Sequence, residues 1–143
     1  MRLLRPSPGE AADRQGILLL KCRYGIAKNV NTKPFEDEIN ELQTYLDVHY
    51  FNKINEETGE KYNQLFQQLK DVNNDLWRIE DEVRIQIRKP SLDRVRLVEI
   101  AIAVPTANDK RMALVQEINR LFNLDVKEKV YIADEILDRN IAS

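Results

Sequence analysis

The sequence predicts an all-α protein, an antiparallel bundle of about five helices with a long central helical hairpin. Three observations lead there. Tyr62, Leu65, Leu69, Val72, Leu76, Ile79 and Val83 step 3-4-3-4-3-4 along the chain, the seam of a long helix packed lengthwise on another. Phe35, Ile39, Leu42, Leu46 and His49 step 4-3-4-3, a matching seam. Only 4 glycines and 5 prolines stand among 143 residues, which leaves little chain for loops. A chain of this length forms one domain. The expectation is a single domain over 1–143, with a core over about 7–122 and a C-terminal tail over 123–143.

The first helix opens at Ser7-Pro8-Gly9-Glu10. Serine caps, proline suits the first turn, and glutamate three residues on completes a capping box. This helix runs to about Ala27. Its Ile17–Leu20 run is apolar on nearly every face, so it belongs at the centre of the bundle. Asn31 or Thr32 caps the second helix, which Pro34 starts. Asn52 to Gly59 is the turn to the third helix, and helices two and three pair as an antiparallel hairpin. Lys89-Pro90-Ser91 ends the long third helix, because the residue before proline leaves helical geometry. Ser91 caps a fourth helix through about Ala103. Pro105 breaks it, and Thr106 caps a fifth over about Asn108 to Phe122, with Met112, Val115, Ile118 and Phe122 as its buried face. The tail holds a possible short helix, Ala133 to Arg139.

Composition excludes several classes. No stretch approaches the ~20 apolar residues needed to cross a bilayer. The N-terminal Met1–Pro6 segment is too short for a signal peptide. No membrane partner and a cytoplasmic location are expected (the host cytoplasm if the chain is phage-encoded). One cysteine, Cys22, excludes an intrachain disulfide and reads as a small buried hydrophobe. One histidine, His49, excludes a multi-histidine zinc site and continues the apolar register of its helix. There is no phosphate-binding glycine loop, no dinucleotide-binding glycine pattern and no nucleophile elbow.

The net charge of −2 hides an asymmetry. Phe35 to Glu60 carries eight acidic residues and one lysine; Val83 to Val98 carries five basic residues and one aspartate. Solvated helix faces explain much of this. The sharper implication is that opposite ends of two copies attract each other, or that the basic end binds an anion. The basic stretch has little aromatic interleaving in an acidic chain, so nucleic acid is not an expected partner.

One constellation could carry chemistry. Trp77, Glu80, Asp81 and Arg84 place an indole, two carboxylates and a guanidinium within one and a half turns, with Glu80 and Arg84 at i,i+4. Glu10, Arg14, Ile17 and Lys21 share a face of the first helix, with Asp13 at its edge. Buried charge needs partners, so Lys21 is expected to pair with Glu80 or Asp81, and Asp13 with Arg84. Such a cluster is either an interhelical ion-pair network or a ligand pocket. Asn108 and Asp109 suit a first helical turn. A secondary arrangement, Asp37, Glu38 and Glu41 with Glu135 and Asp138, has the helical carboxylate spacing that holds magnesium in all-helical nucleotide pyrophosphohydrolases.

Gly9-Glu10-Ala11-Ala12-Asp13 followed by Ile17-Leu18 and Lys21, then Asn73-x-x-Leu76-Trp77-x-Ile79-Glu80-Asp81-x-Val83-Arg84, Asn108-Asp109-x-Arg111 with Ile118-Asn119, and Glu128-Lys129-x-Tyr131 resemble the blocks of a small family of helical bacterial and phage proteins without an established activity. Gln15, Gly16, Pro105 and Lys127 depart from its pattern. The resemblance implies a helical fold and implies that Glu10, Asp13, Lys21, Trp77, Glu80, Asp81, Arg84, Asn108, Asp109 and Arg111 belong together.

The sequence therefore points to a non-catalytic helical interaction or assembly protein that self-associates or binds a protein partner, with no catalytic residue assigned and no cofactor expected. The alternative is a small-ligand binder or enzyme. There Arg84 and Arg111 hold an anionic, phosphate-bearing group, Glu80 or Asp81 serves as acid–base, and Trp77 stacks.

Overall fold

The computed structural model describes residues 5–123. Among them the chain is all-α, with no strand. Four α-helices follow in order: α1 Pro8–Ala27, α2 Lys33–His49, α3 Glu56–Ile87 and α4 Arg94–Leu121. A single 3₁₀ turn, Phe51–Lys53, sits between α2 and α3. The tail helix expected over Ala133 to Arg139 lies outside the described residues.

Helix ends follow their cap residues. Ser7 Oγ accepts the Glu10 N–H at 3.2 Å, as expected of a capping serine. Asn31 Oδ1 accepts the Lys33 N–H, and Asn55 Oδ1 accepts the Thr58 N–H at the start of α3. At the end of α1, Asn29 turns left-handed with φ 58°. The Val30 N–H then reaches the Gly25 carbonyl at 2.8 Å, closing the helix with a Schellman bond.

Two expectations about α4 are corrected. Asp93, not Ser91, caps it, its carboxylate accepting the Arg96 N–H at 3.0 Å. Pro105 does not break it, so the two helices expected there are one, and the bundle has four α-helices among the described residues rather than about five. Proline lacks the N–H that would reach the Ala101 carbonyl. The ring is exposed, so that carbonyl is left on a solvent-facing side of the helix. Thr106, expected as a cap, instead donates its hydroxyl back to the Ile102 carbonyl at 3.1 Å, a bond typical of threonine within a helix.

The pairing of helices is also corrected. α3 packs chiefly on α4, and α2 packs on α1; α2 and α3 do not form the central hairpin. The long hairpin is α3–α4. The seam of α3 lies inward throughout and that of α2 up to Leu46, yet a 3-4 spacing does not say which helix fills it. α1 touches all three other helices, which bears out its central place. Its N-terminal half carries Ala11 and Ala12, both fully buried. Gly9 lies against α4: a Cβ there would stand 2.3 Å from the Val115 carbonyl oxygen. The Gly9 N–H, free of any intrahelical partner this close to the helix start, donates to Asn119 Oδ1 at 2.8 Å.

The core gathers Ala12, Tyr62, Leu69, Leu114, Val115 and Ile118, with Phe51, Phe66 and Phe122 against it. Burial pushes the Tyr62 phenol above its ordinary value. Of the face expected for the last helix, Val115 and Ile118 are buried, but Met112 is 54% exposed and Leu114 takes its place. His49 is also exposed rather than packed inward; its ring lies 4.7 Å from that of Tyr45 at the end of α2.

Past Trp77 the α3–α4 hairpin continues as a two-helix arm. Gln86 and Ile100 are buried in its seam. Outside the seam Ile85, Ile87, Leu92, Val95, Val98 and Ile102 are all more than half exposed.

Candidate functional site

The centre of the charged cluster is Asp13 on α1. Arg111 on α4 meets it with two nitrogens, Nε at 2.9 Å from Oδ1 and Nη2 at 2.5 Å from Oδ2. Asn73 on α3 donates from Nδ2 to Oδ1 at 2.9 Å. One carboxylate is thus held by three helices. Asn73 is buried next to the seam residue Val72, between Leu69 and Leu76. The Asp13 side chain is 13% exposed and that of Arg111 31%. The hydrogen bond to Asp13, outweighing burial and helped by the field of Glu80, holds the Arg111 guanidinium above its ordinary value.

This corrects the expected pairings. Asp13 meets Arg111, not Arg84. Arg84 stays on its own helix, 61% exposed, 2.8 Å from Asp81 and 4.0 Å from Glu80. Lys21 does not reach Glu80 or Asp81 but lies over the Phe35 ring of α2, 5.6 Å from its centroid. Trp77 is half-buried and stacks on Tyr24 of α1, ring centroids 5.1 Å apart and 6° from parallel. The Tyr24 hydroxyl bonds Asn74 Oδ1 at 3.3 Å. The indole therefore packs α1 against α3.

The other candidates fall as follows. Glu10 lies half-buried in the first turn of α1. Asn108 and Asp109 are exposed in the middle of α4, not at a helix start. Glu38 of the expected metal set is taken by Arg14, 2.6 Å away; Asp37 pairs with Lys33 at 2.8 Å. Among the described residues no group of three or more potential ligands lies together. Glu135 and Asp138 lie outside them.

Sequence reasoning missed three features. Asn73 and Asn119 are buried polar residues whose signal was their place within apolar spacing. Gln15, noted only as a departure, is buried and donates to the Ile39 carbonyl and to Gln43 Oε1, tying α1 to α2. The third is a hollow of about 580 Å³ along the α3–α4 groove. Val72, Ile79 and Ala103 are among its apolar lining, and Arg78 and Lys110 stand on it. Neither cation forms an ion pair within the described residues. Asp75, Glu82 and Arg96 line the hollow too, with Arg96 donating two bonds of 2.6 Å to Glu82. The hydrogen bond from Arg96 holds the Glu82 carboxyl below its ordinary value.

No helix among the described residues is long and apolar enough to cross a membrane. No protein-family profile, curated protein or solved structure matches this chain.

Proposed function

We propose that this protein is a non-catalytic assembly protein that associates with further copies of itself through the outer face of the α3–α4 arm. The observation that carries this reading is the apolar row on that face. Val95 is 71% exposed, Val98 59% and Ile102 66%, at i, i+3, i+7 on one side of α4. A contiguous apolar face left uncovered marks an interaction surface more often than it marks nothing. The Asp13 carboxylate supports the same reading, because Arg111 and Asn73 hold it as a joint between α1, α3 and α4. Of the residues that the resemblance groups together, Asp13, Trp77 and Arg111 serve the joint of α1, α3 and α4.

The test is sedimentation equilibrium of the intact chain and of Val95→Asp/Val98→Asp. The substitutions sit on an exposed face, and circular dichroism controls for folding. Self-association of the parent weakens at least about tenfold in the variant, since two buried valines contribute more than the ~1.4 kcal/mol that a factor of ten needs. Unchanged association of a folded variant contradicts the reading.

The α3–α4 hollow favours a second reading, a site for an anionic, phosphate-bearing ligand between Arg78 and Lys110. A thermal-shift panel of nucleotides and sugar phosphates tests it, because a ligand at 100 times its Kd adds about 2.7 kcal/mol. No shift across the panel removes it.

A further inference from the structure

We propose that two copies join as an isologous dimer, the outer sides of their α4 helices packed antiparallel on each other. This rests on the self-association reading and adds the seam, its direction and the size of the assembly.

α4 buries Ile100, Leu114, Val115 and Ile118 within its own bundle. The opposite side of the helix carries a second row: Val95, Val98, Ile102, Pro105, Asp109 and Met112 step 3-4-3-4-3 along the chain. That is the spacing of a helix packed lengthwise on another helix. Yet all six residues are exposed, and Val95, Val98, Ile102 and Met112 are each more than half exposed. The row runs for about 26 Å at the helical rise per residue. α4 thus carries a full seam on a side that no helix covers among the described residues.

Asp109 decides the occupant and its direction. It is the one charge in the row, and a carboxylate covered by a second helix needs a cation. α4 itself carries that cation at the far end of the row, where Arg94 stands exposed beside Val95. Neither side chain pairs with another among the described residues. Laid parallel, two copies set Asp109 against Asp109 and Arg94 against Arg94, and like charges across an interface oppose it. Laid antiparallel, one register engages all six residues. It sets Val95 against the partner's Met112, Val98 against the partner's Asp109 and Ile102 against the partner's Pro105. Arg94 then stands about 6 Å along the axis from the partner's Asp109, one helical turn, within reach of an arginine side chain. The two-fold axis repeats this pair at the other end. A polar residue in a seam fixes orientation in this way. Both copies use the same surface and consume it, so assembly stops at two.

Sedimentation equilibrium tests this on the intact chain and on Arg94→Glu, Asp109→Arg and the two combined in one chain. The sites are exposed, and circular dichroism establishes that each variant folds. The parent reaches two copies and no more. Each single variant sets like charges together at both ends of the seam and associates at least about tenfold more weakly. The combined variant regains the parent's affinity, because each reversed charge meets its reversed partner. Single variants that associate as the parent does overturn the proposal. So does a combined variant as weak as the single ones, and so do assemblies larger than two copies. In those three cases a loss of association in Val95→Asp/Val98→Asp still leaves the arm as the interface, in another arrangement. A parent that is monomeric overturns both this proposal and the reading beneath it.

Discussion

Asp13 and Arg111 stand 98 residues apart in the chain and meet through two parallel hydrogen bonds at the joint of α1, α3 and α4. A bidentate, half-shielded pair of this kind is far more sensitive to loss of one partner than an exposed pair. Arg111→Ala strands the Asp13 carboxylate beside Asn73 and lowers stability by about 3 kcal/mol. Arg84→Ala, on the exposed cluster, changes stability by less than about 1 kcal/mol. Urea unfolding of both variants checks this. Equal effects would show that the cluster has no buried centre.

Gly9 and Gly16 lie two turns apart on α1 and face opposite fates. A Cβ at Gly9 meets the Val115 carbonyl oxygen at 2.3 Å, whereas a Cβ at Gly16 meets nothing nearer than 3.6 Å. Gly9→Ala therefore forces α1 away from α4 and costs about 2 kcal/mol. Gly16→Ala stiffens the helix without a clash and adds about 0.5–1 kcal/mol. Thermal unfolding of the pair gives opposite signs; a shared sign contradicts the packing of α1.

Acid sensitivity follows from Glu38. The hydrogen bond from Arg14, chief among the causes, holds this carboxyl below its ordinary 4.5. The unfolded chain then binds the proton more readily than the folded one. The stabilisation is complete above that ordinary value and is lost as pH falls through the lower folded value. Denaturant titrations between about pH 6 and pH 3 should show a shallower acid decline in Glu38→Gln than in the parent. Parallel declines would mean that the Arg14–Glu38 pair does not contribute.

The helices of this protein are legible because period and punctuation coincide. The 3-4 spacing of Tyr62 to Val83 lies on the inner side of α3, and Ser7 caps as its sequence context requires. Partner choice is not legible in the same way. The seams of α2 and α3 have matching spacing, and only the whole fold sets α4 against one and α1 against the other. Small residues carry part of that information: Gly9 and Ala12 let α1 approach its neighbours closely, a cue that hydrophobic spacing ignores. Pro105 shows the converse. A strong local stop signal is overridden where its carbonyl cost falls on an exposed face and packing on both sides keeps the helix whole. For the charged cluster, only the family resemblance grouped Asp13 with Arg111; helix faces alone pair Asp13 with Arg84, which instead lies exposed and paired on its own helix.

Light scattering of the intact chain over a range of concentrations bears most directly on the assembly reading. The account predicts a mass that rises above the 16.8 kDa of one copy with concentration. A mass fixed at one copy through the whole range contradicts it.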